Sequence, residues 1–249
     1  MPERRTDMTQ ETNQTASLDK AFEALKSYDW GSDIAALEPI DKALASAYGK
    51  PAARKELETR LAPVLKSNAP LAAKDFVCRK LALIGTAQSV PALAELLANE
   101  DLGHMARYAL ERIPGPEAGK ALREALPKAT GRNKTGLIDS LGVRRDGAGT
   151  ARLAALLNSA EAQAAAAAAI ALGEIGSSEA AKALEGYRRR APKEFRNAAA
   201  GASLVCAQRL LACGKRDEAL AIFKALGAQE QPAHVQLAAK GALSAATRA

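Results

Sequence analysis

Aromatic residues are scarce in this chain. Tryptophan, tyrosine and phenylalanine make up 4% of the 249 residues, and there is only one tryptophan. Strands favour aromatic and β-branched side chains, so this composition argues against a strand-rich fold. Alanine, the best helix former, supplies about a quarter of the residues. The composition therefore predicts an all-α protein in which small side chains let helices approach closely.

Long apolar runs and a disulfide framework are also absent. The longest apolar stretch, around Ala164–Leu172, is much shorter than the roughly 20 residues that a membrane helix needs. Cys206 and Cys213 lie seven residues apart in one predicted helix, about 10.5 Å along its axis. A disulfide tolerates at most roughly 7 Å between Cα atoms, so we expect these two thiols and Cys78 to be free and buried. Residues 1–16 contain no apolar signal segment, which favours a soluble, cytoplasmic protein.

One motif recurs along the chain. An apolar helix ends at an isoleucine or leucine, and a second apolar helix is under way nine residues later, as in Ile84 to Leu93. The end residues are separated by 28 to 36 positions, the length of one helical hairpin; they are Ile84, Ile113, Leu141, Ile175 and Leu211. Such a period is typical of a solenoid, in which each hairpin buries its apolar face only against its neighbours. The sequence therefore predicts a right-handed α-solenoid of five or six hairpins.

The same pattern divides the chain into three regions. Residues 1–16 are polar and predict a disordered N-terminal tail. Residues 17–48 predict a capping pair of helices, and residues 49–249 carry the repeat array. Because terminal repeats must be capped, we expect Trp30 to seal the open apolar end of the array.

Two strings connect the chain with a known family. Ala171–Gly176 reads ALGEIG and Glu179–Leu184 reads EAAKAL. Together they resemble the HEAT repeat in its phycocyanobilin-lyase-like (PBS lyase) form, and the resemblance extends over roughly residues 70–226. Segments 104–111 and 142–146 also resemble HEAT arrays of large bacterial proteins. The resemblance implies a HEAT-like helical architecture; lyase activity is suggested only by the family name.

Residues that could carry catalysis are few. Metal-dependent hydroxylases built from HEAT hairpins have paired His-Glu dipeptides on facing helices. Here His104 and His234 are followed by Met105 and Val235. The chain also has no metal-ligand spacing of the HExxH or CxxC kind. We therefore expect no enzyme activity, no catalytic residues, no metal and no cofactor.

The strongest candidate for a binding patch lies on one helix. His104, Arg107, Tyr108 and Glu111 follow the spacing i, i+3, i+4 and i+7, so they share a face. Imidazole, guanidinium, phenol and carboxylate together exceed what solvation requires. The alternative is an ordinary polar face on which Arg107 and Glu111 form an ion pair.

Basic residues extend this candidate. In HEAT arrays the second helix of each hairpin lines the concave face, and Arg132 and Lys134 stand where one such helix begins. Arg144 and Arg145 follow at its other end. The cations and the helix N-termini would form a ridge that could track a phosphate backbone. HEAT-like DNA glycosylases offer a precedent, but they need aromatic residues that these helices largely lack.

These observations favour a noncatalytic scaffold that binds another protein, or an attached domain, on its concave face. The first alternative is nucleic-acid or polyanion binding along the basic ridge, and the second is a bilin-lyase-type enzyme. No membrane partner is expected. The predicted partner-binding residues are His104, Arg107, Tyr108, Glu111, Arg132, Lys134, Arg144 and Arg145.

Overall fold

Every regular element in the described part of the chain is a helix. The computed structural model describes residues 3–228 and 231–248, with side chains over 14–228 and 231–247. Short 3-10 segments extend several of the helices. No helix in these ranges is long and apolar enough to cross a membrane. The α-helices are α1 (Glu3–Ser27), α2 (Glu38–Ser46), α3 (Pro51–Leu61), α4 (Leu71–Ile84), α5 (Val90–Glu95), α6 (Gly103–Arg112), α7 (Pro116–Ala125), α8 (Gly131–Val143), α9 (Thr150–Leu156), α10 (Ala162–Ile175), α11 (Ser178–Arg190), α12 (Arg196–Ala212), α13 (Arg216–Leu226) and α14 (Ala233–Arg248).

The predicted all-α class is confirmed, and several helix bounds agree with the sequence pattern residue for residue. The helices predicted over 71–84 and 178–190 are α4 and α11. Pro91 and Pro116 lie in the first turns of their helices, where a missing N–H costs no intrahelical hydrogen bond. The recurring leucines of the motif fill the core: Leu93, Leu122, Leu153 and Leu184 are all buried.

The chain forms two compact units, Met1–Ala121 and Leu122–Ala249. In the first unit α3 packs on α4, α5 packs on α6, and α4 packs on α6. The second unit repeats the scheme: α9, α11 and α13 each pack against the helix that follows them, and α8, α10, α12 and α14 pack in series. Each unit is therefore a stack of helical pairs, as in an α-solenoid.

Two names are used below for the parts of these stacks. The first-helix layer is α3 and α5 in unit 1 and α9, α11 and α13 in unit 2. The second-helix layer is α4 and α6 in unit 1 and α8, α10, α12 and α14 in unit 2.

The repeat period reappears in hydrogen bonds between neighbouring pairs. In unit 1, Gln88 Nε2 donates to Thr59 Oγ1 over 3.3 Å. In unit 2, an Arg152 guanidinium N–H donates to the carbonyl oxygen of Arg123. In both bonds the partners are 29 residues apart. One helical pair is therefore held to the next by bonds that recur at the length of the repeat.

Helix α10 explains the alanine content. Ala164–Ala169 are all buried, because α10 packs against α8, α9, α11 and α12 at once. A Cβ atom added at Gly173 of α10 would lie 2.6 Å from the carbonyl oxygen of Ala202 in α12. Only residues without long side chains permit this distance between backbones.

The N-terminal region differs from its prediction in two respects. Helix α1 begins at Glu3 and not at Ser17, so the structure is helical where a disordered tail was predicted. Its exposed polar residues continue to Lys20, and burial begins only with Ala21 and Phe22. Tertiary contact therefore starts where apolar periodicity starts, although the helix itself begins earlier.

Trp30 does not seal the apolar end of the array, because 66% of its surface is exposed. The contact is made by other aromatic residues. The Arg60 guanidinium lies 3.9 Å from the centroid of the Phe22 ring, and the Tyr28 and Phe76 rings are 6.5 Å apart. Trp30 precedes a turn at Gly31, which has a φ of 89°, and this turn leaves the indole outside the contact.

A buried carboxylate orders the connection between α4 and α5. Glu58 of α3 is fully buried. It accepts hydrogen bonds from the Thr86 N–H (2.7 Å), the Thr86 hydroxyl (3.0 Å) and the Ser89 hydroxyl (2.5 Å). Three donors compensate for the dehydration of the carboxylate, which thus fixes the turn of one helical pair from the helix of the preceding pair.

We expect Glu58→Ala to lower the free energy of unfolding by about 3 kcal/mol, because three donors lose their acceptor. Denaturant unfolding followed by circular dichroism measures the change. Glu56→Ala, an exposed position on the same helix, should stay within about 0.5 kcal/mol of the wild type. Equal effects of the two substitutions would contradict the role given to Glu58.

The same glycine-to-alanine change should have opposite effects at two positions of unit 2. Gly173→Ala should lower the free energy of unfolding by about 2 kcal/mol, because the methyl group overlaps the backbone of Ala202. A Cβ atom at Gly201 of α12 would meet nothing within 4 Å. Gly201→Ala should therefore raise stability by about 0.5–1 kcal/mol through helix propensity. Thermal unfolding of both variants tests this, and a stabilising Gly173→Ala would disprove the close approach.

Candidate functional site

The four predicted residues of α6 occupy its less buried side, as expected. His104 and Tyr108 are exposed, and Arg107 and Glu111 are half-buried. A fifth residue, Arg112, belongs with them. Its guanidinium lies 3.7 Å from the centroid of the Tyr108 ring and donates to the Tyr108 carbonyl oxygen over 3.0 Å.

Sequence reasoning placed Arg112 on a neighbouring face, although its i+4 spacing from Tyr108 was a usable signal. Arg112 also lies 3.6 Å from the Glu111 carboxylate. The α6 face is therefore an arginine stacked on a tyrosine beside an exposed imidazole.

Arg132 and Lys134 lie in the first turn of α8, where they were predicted. Arg132 is exposed. The Lys134 ammonium lies 2.9 Å from the Glu161 carboxylate, just before α10, and its side chain is only 17% exposed. Lys134 is therefore one half of an ion pair between two second helices.

Arg144 and Arg145 end the same helix. Arg145 has a φ of 50°, the left-handed conformation that glycine usually adopts after a helix. Its N–H donates to the Gly142 carbonyl oxygen, and the Asp146 N–H donates to that of Leu141. Gly214 holds the corresponding place after α12. The backbone of Arg145 thus terminates α8, while its exposed side chain remains open to solvent.

The α6 residues belong to unit 1, and the four basic residues around α8 belong to unit 2. The structure therefore groups the eight predicted residues into two sets of four, one in each unit. Among the described side chains, no three His, Cys, Asp or Glu residues are placed to hold a metal ion.

Exposed large apolar side chains are distributed unevenly between the layers. Beyond residue 50, those of the described chain all lie on second helices: Leu71, Leu83, Tyr108, Val143, Ile170 and Leu237. The described first helices carry none. Sequence reasoning identified only Tyr108, because the others belong to apolar helices in which exposed and core positions look alike.

A cleft of about 310 Å³ opens in unit 2 between α11, α12 and α13. Its apolar wall includes Leu184 and Ile222, and Ser203 and Cys206 of α12 also line it. At one end the Ser178 hydroxyl donates to the Glu218 carboxylate over 3.0 Å. At the other end of α11 lies Arg188.

The three consecutive arginines of α11 point to different surroundings. Arg189 forms an ion pair with Glu185. Arg190 donates to the Asn158 side chain over 2.7 Å. Arg188 lines the cleft, and its buried Nη1 has no hydrogen-bond partner among the described residues. Burial lowers the pKa of this guanidinium. A basic run in sequence is thus three separate sites in space.

Two of the three cysteines are unreactive by position. Burial raises the pKa of the Cys78 thiol to about 12, with a further contribution from the Asp75 charge. Burial likewise raises the pKa of Cys206 to about 11, helped by Glu218. Cys213 is exposed, which corrects the prediction that all three thiols are buried. It follows the last residue of α12, where the chain leaves the packed layer.

Comparison with known proteins bears on the fold alone. No protein-family model and no curated protein matches the sequence. A designed armadillo repeat protein, solved in complex with the peptide (KR)4, is 17% identical with a TM-score of 0.41, over 76% of this chain and 98% of that one. Human deoxyhypusine hydroxylase is 16% identical with a TM-score of 0.38, over 96% and 99%. The repeat fold is HEAT- or armadillo-like, and these comparisons do not support the phycocyanobilin-lyase-like assignment in particular.

The thiols provide a test of this arrangement. At pH 8, well below the pKa of Cys78 and Cys206, a maleimide reagent should label one cysteine, Cys213, in the native protein. Raising the pH to 9 should leave this number unchanged, because the two buried thiols stay protonated. Unfolding in guanidinium should release all three. Mass spectrometry counts the adducts, and native labelling of Cys206 would contradict its burial.

Proposed function

We propose that this chain is a noncatalytic scaffold that binds another protein, or an attached domain, through the exposed side of its second-helix layer. One observation carries the proposal. The exposed large apolar side chains beyond residue 50 all lie on second helices and are 37 to 75% exposed. Exposed apolar groups that gather on one side of a fold are typical of protein-binding surfaces.

The helices that carry these groups favour such a role. Each side chain projects from a helix whose other faces are packed, so little ordering entropy is lost on binding. In unit 2, Ile170 stands on α10, whose neighbouring alanines are buried on both sides. In unit 1, Tyr108 is held by the stacked Arg112. Rigid aromatic and aliphatic anchors of this kind contribute most of the affinity of protein interfaces.

Polyanion binding is the less favoured interpretation. Exposed Arg132 and His104 remain available for it, but Lys134 is paired with Glu161. The arginines at the end of α11 also fail to form one patch, since they face different partners. A phosphate backbone requires cations along a common line.

The proposal of a noncatalytic role is supported by the surroundings of the nucleophiles. Cys78 and Cys206 are buried thiols with raised pKa values, the opposite of an activated nucleophile. His104 and His234 lie in different units.

The test is affinity capture from a lysate of the source organism at two salt concentrations, with and without nuclease. The wild-type chain should retain a discrete protein that survives nuclease and high salt. Ile170→Glu places a charge in the proposed interface and should reduce its recovery at least about tenfold, as expected for the loss of an apolar anchor.

Ala151→Glu introduces the same charge at an exposed position of α9 in the first-helix layer. It serves as the matched control and should retain the protein fully. Equal losses in both variants would disprove the assignment to the second-helix layer. Recovery of nucleic acid that disappears at high salt would favour the polyanion interpretation instead.

A further inference from the structure

The cleft between α11, α12 and α13 has no place in the function proposed above, because two of its three helices belong to the first-helix layer. We propose that this cleft is a separate binding site for an extended acidic peptide, whose carboxylate pairs with Arg188. The site stands on its own residues and does not depend on the second-helix surface.

The first argument is the state of Arg188. Its guanidinium lines the cleft, and its buried Nη1 lacks a hydrogen-bond partner in the described part of the chain. Buried polar groups in proteins nearly always have partners, so an orphaned donor in a cleft indicates a missing acceptor. Arg188 lies in the last turn of α11, where the helix dipole favours a cation. The dipole explains the positive charge but provides no acceptor for Nη1.

The second argument is the charge balance of the cleft. Lys182 is a second cation on the wall, and Glu185 and Glu218 are the carboxylates there. Glu185 is already paired with Arg189 outside the cleft lining. Glu218 accepts from Ser178, whose hydroxyl in turn accepts from the Lys215 ammonium over 2.7 Å.

Both carboxylates therefore have partners of their own, and neither makes an ion pair with Arg188. An incoming ligand meets a net positive surface. A carboxylate is the acceptor that suits a guanidinium, because its two oxygens match the planar fork of N–H groups.

The third argument is the shape of the cleft. Ser178 and Arg188 are ten residues apart on α11, about 15 Å by the helical rise. An extended peptide covers this length with about four or five residues. Leu184 and Ile222 offer apolar wall for aliphatic side chains, while Ser203 lies among the lining groups of α12. An alternation of acidic and aliphatic residues matches this alternation of cations and apolar wall.

Fluorescence anisotropy of the full chain with a labelled, C-terminally amidated peptide of alternating glutamate and leucine tests the proposal. The probe should bind saturably in physiological salt, and its glutamine-leucine counterpart should bind at least tenfold more weakly. Arg188→Met keeps the apolar stem but removes the charge, and should weaken binding of the glutamate peptide at least tenfold. Arg189→Met, one residue away and outside the cleft, should leave the Kd unchanged.

Thermal unfolding provides an independent measurement. Because Arg188 has no partner to lose, Arg188→Met should unfold at or above the temperature of the wild type. A lower unfolding temperature together with unchanged peptide binding would make Arg188 a structural cation and overturn the proposal. No binding of the glutamate peptide by the wild type, or binding of hexanoate alone, would also overturn it.

Ile170→Glu separates this site from the second-helix surface. That variant should bind the glutamate peptide with the Kd of the wild type, whether or not it loses the captured partner. Loss of both activities in Ile170→Glu would show that the cleft is not an independent site.

Discussion

The close approach of helix backbones is the constraint on which unit 2 depends. A Cβ atom at Gly142 would lie 2.8 Å from the Cα of Ala171, and one at Gly173 would nearly touch the backbone of Ala202. Three second helices, α8, α10 and α12, are held together at these two points. Larger side chains there would push the helices apart and withdraw the buried alanines of α10 from contact. The high alanine content is thus a requirement of spacing as much as of helix propensity.

Polar groups hold the pairs in register where apolar contact cannot. Glu58 fixes a turn of the next pair through three hydrogen bonds, and Lys134 links α8 to the start of α10 through Glu161. Apolar packing is nondirectional, so it sets the distance between helices without choosing one sliding position over another. Hydrogen bonds and ion pairs have fixed geometry and select one position.

The two layers carry different functional opportunities as a result. Second helices meet neighbours of their own layer on two sides and their hairpin partners on a third, which leaves one narrow face to display isolated apolar residues. First helices diverge enough in unit 2 for a cleft to open between α11 and α13, with α12 as its floor. A single chain thus offers a flat apolar surface and a charged groove, each formed by a different part of the same repeat.

The sequence by itself determined the all-α class, the repeat period and most helix bounds, because alanine content, leucine periodicity and the positions of proline act locally. It also placed His104, Arg107, Tyr108 and Glu111 on one face, since helical spacing suffices for that. Tertiary structure alone decided the partners. It paired Lys134 with Glu161, left Trp30 exposed, and separated Arg188 from Arg189 and Arg190. A helix turns by 100° per residue, so neighbours in sequence face different surroundings, and only the packing of other helices determines which of them finds a partner.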